Sequence, residues 1–183
     1  MKYAYINGKI LDGDKDMQVK EGMVILTDGE KITGIEKEVP SAADIKVIDL
    51  GGRYIMPGLI NMHVHLAGNG KPRKKQRDNE KLVKTLMGTA LSRAVAYKIV
   101  SDFAKTELLS GVTTIRTVGG LGDFDTKLRD EVVAGKKTGP RILAANEGIS
   151  VPGGHMAGSV AVVAGSIDEA LKQLEHAEFE KAV

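Results

Sequence analysis

Residues 54–66 read Tyr54-Ile55-Met56-Pro57-Gly58-Leu59-Ile60-Asn61-Met62-His63-Val64-His65-Leu66. Pro57 and Gly58 punctuate the chain, and Gly58 to Leu66 is a near-continuous apolar run interrupted by two histidines. A run of that length after a turn signal reads as a buried strand. Side chains on a strand alternate faces, so His63 and His65 point the same way. Two imidazoles one strand period apart can bind one divalent cation. Imidazole suits several transition metals, so the pair alone does not choose the ion.

Upstream, residues 1–56 are short strand candidates separated by turn dipeptides. Tyr3 to Ile6 ends at Asn7-Gly8, Met23 to Thr27 at Asp28-Gly29, and Lys46 to Leu50 at Gly51-Gly52, with Ile32 to Ile35 between the last two. Asn-Gly and Asp-Gly are hairpin signals. Strands this short predict a small β-sheet or half-sandwich, which needs a second surface to pack against.

Downstream the pattern changes. Asp78 to Ser110 reads as one long helix, with Leu82, Leu86, Ala90, Leu91, Ala94, Val95, Ile99, Phe103 and Ala104 as its apolar stripe. Asp78 is placed to cap its start and Gly111 its end. Val112 to Val118 is a β-branched strand, Gly119 to Asp123 a turn, and Phe124 to Ala134 a short helix. Pro140 to Ala145 is a third strand, and Gly148 to Gly158 a Gly-rich loop. Ile167 to Ala182 is a helix whose predicted buried face is Ile167, Ala170, Leu171 and Leu174. Strands separated by helices imply parallel pairing, hence an α/β class.

Composition narrows the partners. The 183 residues are 42% hydrophobic and 27% charged, with a formal charge of +2, which gives no case for nucleic acid. The basic cluster Lys71 to Arg77 lacks interleaved aromatics and reads as a solvated loop. With no cysteine there is no disulfide and no thiolate ligand. Met1 to Ile10 lacks the apolar run of a signal peptide, and no stretch reaches membrane-spanning length. The expectation is a cytoplasmic protein with no membrane contact.

The segment from Tyr54 to Leu66 closely resembles the entry to the barrel in the amidohydrolase superfamily, where a Pro-Gly-apolar-apolar-(Asp/Asn)-x-His-x-His run holds the first two metal ligands. The likeness continues. Gly111-Val112-Thr113-Thr114-Ile115-Arg116-Thr117-Val118-Gly119-Gly120 resembles the second barrel strand, and Leu128-Arg129-Asp130 then Gly139 to Ala145 resemble the next helix and strand. Ile149 to Met156 is similar to the Gly-Gly-His loop of the branch containing imidazolonepropionase-like and Xaa-Pro dipeptidase-like (prolidase-like) enzymes. The resemblance implies two parts. Residues 1–56 would be a β-sandwich part, and 57–183 the first three βα units of a TIM-like (β/α)8 barrel.

It also implies a metal-dependent hydrolase acting on C–N bonds of small molecules. His63 and His65 would be ligands to one or two divalent ions, zinc foremost. A metal-bound water has its pKa lowered towards neutrality, and the ion polarises the bond to be cut. A catalytic zinc normally takes three protein ligands plus water. The family's other histidines, its bridging lysine and its catalytic aspartate lie on the fourth and later strands, beyond the reach of residues 57–183. The expectation is therefore an incomplete barrel, inactive by itself, that forms a homo-oligomer or pairs with a complementing chain.

The remaining candidates have plainer readings. His155, in the Gly-rich loop, would touch substrate or shape the loop, and His176 would lie on a helix surface. Asp123 and Asp125 follow the second strand and are within approach of the site, with helix capping as their expected role, and Arg116 faces either the barrel interior or the helix layer. Two rivals to the hydrolase stand beside it. One is a non-enzymatic metal-binding or oligomerising half-barrel module, the other an α/β domain with structural histidines.

Overall fold

The computed structural model describes residues 1–41, 44–68, 70 and 78–176. The basic cluster 71–77, the side chain of His176 and the tail from 177 onward lie outside the described residues. Two compact units divide between Pro57 and Gly58.

The first unit holds β1 (Lys2–Ile6), β2 (Lys9–Ile10), β3 (Val24–Asp28), β4 (Lys31–Glu36), β5 (Ile45–Asp49) and β6 (Tyr54–Ile55). A mixed sheet has the order β4-β3-β1-β5, and β2 pairs with β6 in parallel. The Asp28-Gly29 signal is a true hairpin. β3 and β4 are antiparallel with Asp28 opposite Lys31, and Gly29 takes φ +58°. Asn7-Gly8 is a turn but not a hairpin, because β1 pairs with β3 and β5 while β2 pairs with β6. Asn7 takes φ +54°, and a Cβ on Gly8 would fall 2.6 Å from Leu50 Cδ1. The chain therefore leaves one sheet for another at a turn where a side chain on residue 8 would displace the end of Leu50. Central position shows in burial: Ala4 on β1 is fully covered.

The second unit is built on β7 (Leu59–Val64), β8 (Val112–Thr117) and β9 (Arg141–Leu143), in that order and all parallel. Helices α1 (Asn79–Met87) and α2 (Ala90–Leu109) join β7 to β8, and α3 (Phe124–Val133) joins β8 to β9. One core cluster unites Val64 and Leu66, Ile115, Ile142 and Ala144 with Ala96, Val100 and Ala104 of α2 and Phe124 and Leu128 of α3. The α2 residues lie four apart, so three small or branched side chains form one stripe and let the helix sit close on the sheet. Tyr97 ties α2 to α3: its ring meets Phe124 edge-on at 5.2 Å and its hydroxyl donates to Glu131 Oε2 at 2.7 Å.

Several expectations need correction. The helix over 78–110 is two helices. Asp78 caps α1 by accepting from Lys81 N–H, but the chain stops at Gly88 and restarts at Thr89. There Thr89 Oγ1 accepts from Ser92 N–H and Ser92 Oγ from Thr89 N–H, a reciprocal capping box. The apolar stripe was also partly misplaced. Leu86, Phe103 and Ala104 pack on the core, whereas Leu91, Val95 and Ile99 are exposed and Ala96 and Val100 take their place.

The Gly-rich loop contains a strand. β10 (Gly148–Ser150) pairs in parallel with β11 (Ala161–Val163). Three-residue strands carry too little periodicity to be read from sequence. Finally α4 (Ile167–His176) is helical, but Ile167, Leu171 and Leu174 of its predicted buried face are exposed.

Candidate metal site

Pro57 and Gly58 set where β7 begins. A Cβ on Gly58 would lie 2.0 Å from Thr113 Oγ1 and 2.6 Å from Thr113 Cβ, so only glycine lets β7 enter beside β8 at this spacing. β7 then carries one extra residue. Asn61 registers with Ile115 and Val64 with Thr117, so three steps on β7 match two on β8. At this bulge the His63 N–H is satisfied by the Asn61 side chain, which accepts at 3.2 Å. Bulges re-aim side chains and are common beside active sites.

Val64 is buried in the core under the helices, so the flanking histidines project from the opposite face of the sheet. Their rings converge. His63 Nε2 and His65 Nε2 are 3.3 Å apart, with the ring planes at 78°. His65 Nδ1 lies 3.1 Å from the carbonyl oxygen of Gly119. A carbonyl only accepts, so Nδ1 carries the proton and, in neutral His65, Nε2 presents its lone pair. The pair fits a metal on two counts. Two nitrogens each about 2.0–2.1 Å from a tetrahedral zinc stand roughly 3.3–3.4 Å apart, which is the observed spacing. The Nδ1–H to backbone carbonyl contact is the outer partner that metal-bound histidines usually have.

Gly119 and Gly120 are the floor of this arrangement. Gly119 takes φ +143°, and a Cβ there would lie 3.1 Å from His65 Nδ1 and 3.3 Å from Val160 O. A Cβ on Gly120 would meet Asp125 Oδ2 at 2.5 Å. A groove of about 510 Å³ lies beside the histidines, lined in part by Asn61, His63, His65, Phe103, Thr106 and Glu107.

Asp123 and Asp125 do not cap α3 as expected. Asp123 occupies the cap position without a side-chain hydrogen bond and stands 3.9 Å from Arg93. Asp125 is buried, and neither carboxylate oxygen accepts a hydrogen bond among the described residues. Burial pushes its carboxyl up to about 6, against the opposing pull of Thr117 and His65. Thr117 Oγ1 is itself committed to Leu143 O and the Ala145 N–H, so the Asp125 oxygens count as unpartnered.

His155 is exposed on the turn between β10 and β11 and does not join the histidine pair. Among the described residues no group of three or more His, Cys, Asp or Glu is arranged to hold a metal. Glu107 shares the groove without completing such a set. Arg116 is now placed. Its strand neighbours Ile115 and Thr117 are buried and Arg116 is exposed, so it lies on the face that carries the histidines. Sequence reasoning missed the Gly119 carbonyl and the Asn61 contact; a glycine pair directly after a β-branched strand was the available sign of close approach there.

Residues 54–182 match the model of the amidohydrolase family. The chain belongs to that family. Family members are generally metal-dependent and act on small molecules. Over 75 residues this amidohydrolase is 35% identical to a dihydroorotase of Wolbachia sp. subsp. Drosophila simulans, which covers 40% of this chain and 17% of the dihydroorotase. A Bifidobacterium longum structure assigned as a prolidase superposes with a TM-score of 0.70 at 30% identity, covering 96% of this chain and 37% of that one. A Xaa-Pro dipeptidase with bound methionine superposes at 0.66 and 26% identity, covering 96% and 44%. The chain thus spans less than half the length of these relatives. No helix among the described residues is long and apolar enough to cross a membrane.

Proposed function

We propose that this amidohydrolase chain supplies the opening of a metal-dependent active site that hydrolyses C–N bonds of the amide or peptide type. In this reading the second unit is the first three βα units of a TIM-like barrel, and hydrolysis needs ligands beyond these 183 residues. The observation that carries it is the 3.3 Å approach of the two imidazole Nε2 atoms, with the His65 proton held on Nδ1 by Gly119 O.

His63 and His65 would hold one ion, zinc foremost. Bound there, a divalent ion acidifies a water and polarises the scissile carbonyl. The chain's own part is orientation. The bulge and the Asn61 contact aim His63, the Gly119 carbonyl fixes the tautomer of His65, and Val64 anchors both from below. A catalytic zinc normally has a third protein ligand, and the described residues offer none. Prolidase-like or imidazolonepropionase-like chemistry stands ahead of ester or phosphotriester cleavage, and a prolidase-assigned structure and a Xaa-Pro dipeptidase among the solved relatives support the first of these. His155 would contact substrate from its loop.

A second reading has its own support. Leu59, Ile60 and Met62 of β7 are exposed, as are Ile167, Leu171 and Leu174 of α4. Apolar surface of that kind suits a module that oligomerises or docks a complementing chain. Zinc stoichiometry and turnover separate the readings. The hydrolase reading expects one zinc per chain, lost in His63→Ala, and cleavage of dipeptides or N-acyl amino acids once the remaining barrel strands are supplied. Zinc uptake with no turnover in the completed barrel would leave the module; zinc uptake unchanged by His63→Ala would overturn both.

A further inference from the structure

Asp125 is a buried charged group to which the metal site gives no task. It is 1% exposed, and neither carboxylate oxygen accepts a hydrogen bond among the described residues. A carboxyl without a partner in the core is destabilising, so its presence needs another reason. Its place supplies one. The point where a Cβ on Gly120 would stand lies 2.5 Å from Oδ2, 2.9 Å from Cγ and 3.0 Å from Oδ1. The whole carboxyl group fills the space that the missing side chain leaves.

The turn it touches is soft by itself. Gly119 and Gly120 make no backbone–backbone hydrogen bond among the described residues, and glycine is the least restricted residue in φ and ψ. The Gly119 carbonyl that meets His65 Nδ1 at 3.1 Å belongs to the peptide joining these two glycines. His65 meets one end of that peptide, and Asp125 lies against the other. Asp125 is itself well held. It stands in the first turn of α3 between Phe124 and Thr126, both buried, and the Thr126 N–H donates to Asn146 Oδ1 at 3.1 Å.

We propose that Asp125 is a positioning residue of the metal site. It backs the Gly119–Gly120 turn, so that the Gly119 carbonyl stays on His65 and Nε2 stays aimed at the ion. This rests on the metal reading of His63 and His65. It also explains why an unpartnered carboxyl persists in the core: stability is given up for an aimed ligand.

The test uses the 183-residue chain labelled with ¹⁵N, first without metal and then with zinc. Asp125→Asn keeps the shape of the carboxyl, and Asp125→Ala empties the space behind Gly120. Val132→Ala is the control, a half-buried core contact elsewhere on α3. In Asp125→Ala the His65 Nδ1–H signal should shift and zinc affinity should fall 10- to 100-fold, as when outer partners of metal ligands are removed. Resistance to urea should show no matching loss. Asp125→Asn should keep both site readouts close to wild type, and Val132→Ala should lower stability while leaving both unchanged. If Asp125→Ala does not fold, Gly120→Ala reaches the same contact from the turn, where its methyl displaces Oδ2, and the same losses are expected. Wild-type readouts in the folded variant overturn the proposal, as do equal losses in Asp125→Asn and Asp125→Ala. Zinc affinity that merely follows urea stability across the set overturns it too. The metal-free arm separates the two claims. If zinc leaves the wild-type histidines untouched while Asp125→Ala still shifts His65 Nδ1–H, the metal reading falls and the hold of Asp125 on His65 stands.

Discussion

The Nδ1 of His65 lies 3.1 Å from the carbonyl oxygen of Gly119, a contact between the residue that follows β7 and the turn that follows β8. It couples the orientation of one imidazole to the backbone of the neighbouring strand. Because the acceptor is a carbonyl, the coupling also decides which ring nitrogen is left to bind a metal.

Substitution at Gly119 tests that coupling. Gly119→Ala places a methyl 3.1 Å from Nδ1 and 3.3 Å from Cε1 of the His65 ring, on a backbone with φ +143°. Zinc affinity should fall 10- to 100-fold, the range seen when outer partners of metal ligands are disturbed, and the melting temperature should fall as well. A competition assay with a chromophoric chelator reads the first, and unchanged affinity would show that His65 is held by something else.

Asp125 makes stability depend on pH. Burial lifts its carboxyl from the ordinary 3.8 to about 6 in the folded state, so the folded state binds the proton more tightly. The protonated carboxyl favours the fold fully below about pH 4, and this contribution is lost as pH rises through 6. The shift amounts to roughly 2–3 kcal/mol. Asp125→Asn should therefore stabilise the protein by about that much at pH 7 and by little at pH 4, read by urea denaturation at the two pH values. A constant difference across that range would contradict the burial account.

Gly58 should resist any side chain. Gly58→Ala drives a methyl into Thr113 and should cost about 1–3 kcal/mol, because the clash reaches Thr113 Cβ as well as its outer atoms. Thr113→Gly in the same chain should recover much of the loss. A double-mutant cycle in chemical denaturation measures the recovery; purely additive losses would mean that β7 shifts away instead.

The break between α1 and α2 rests on one cap. Thr89→Ala removes the acceptor for Ser92 N–H and should cost about 1 kcal/mol, with the loss in helix signal confined to the start of α2. Sequence reading merged these helices because Gly88 alone does not stop a helix and the Thr-Ala-Leu-Ser start at 89–92 is a weaker box than one with Glu at its fourth position.

That merger shows where legibility ended. The chain order of strands and helices after Pro57 was readable because β-branched runs at 112–118 and the Gly-Pro boundary at 139–140 are strong local signals. The direction of the two histidines was readable because a strand period forces it. Which face of α2 is buried was not. Leu91, Val95 and Ile99 have the apolar character of a core stripe, but the sheet is covered by Ala96, Val100 and Ala104, whose small size permits closer approach. Asp125 was likewise misread as a cap, because nothing local to Phe124-Asp125-Thr126 shows that Gly120 leaves room for a buried carboxylate.

The most direct test of the account follows the ¹⁵N signals of His63 and His65 as zinc is added. At one equivalent, both Nε2 resonances should move into the range of metal-bound imidazole nitrogen while His65 Nδ1 stays protonated. If zinc leaves either Nε2 resonance where it was, or binds through His65 Nδ1, the two rings are not the shared ligands of one ion and the metal site proposed here does not exist.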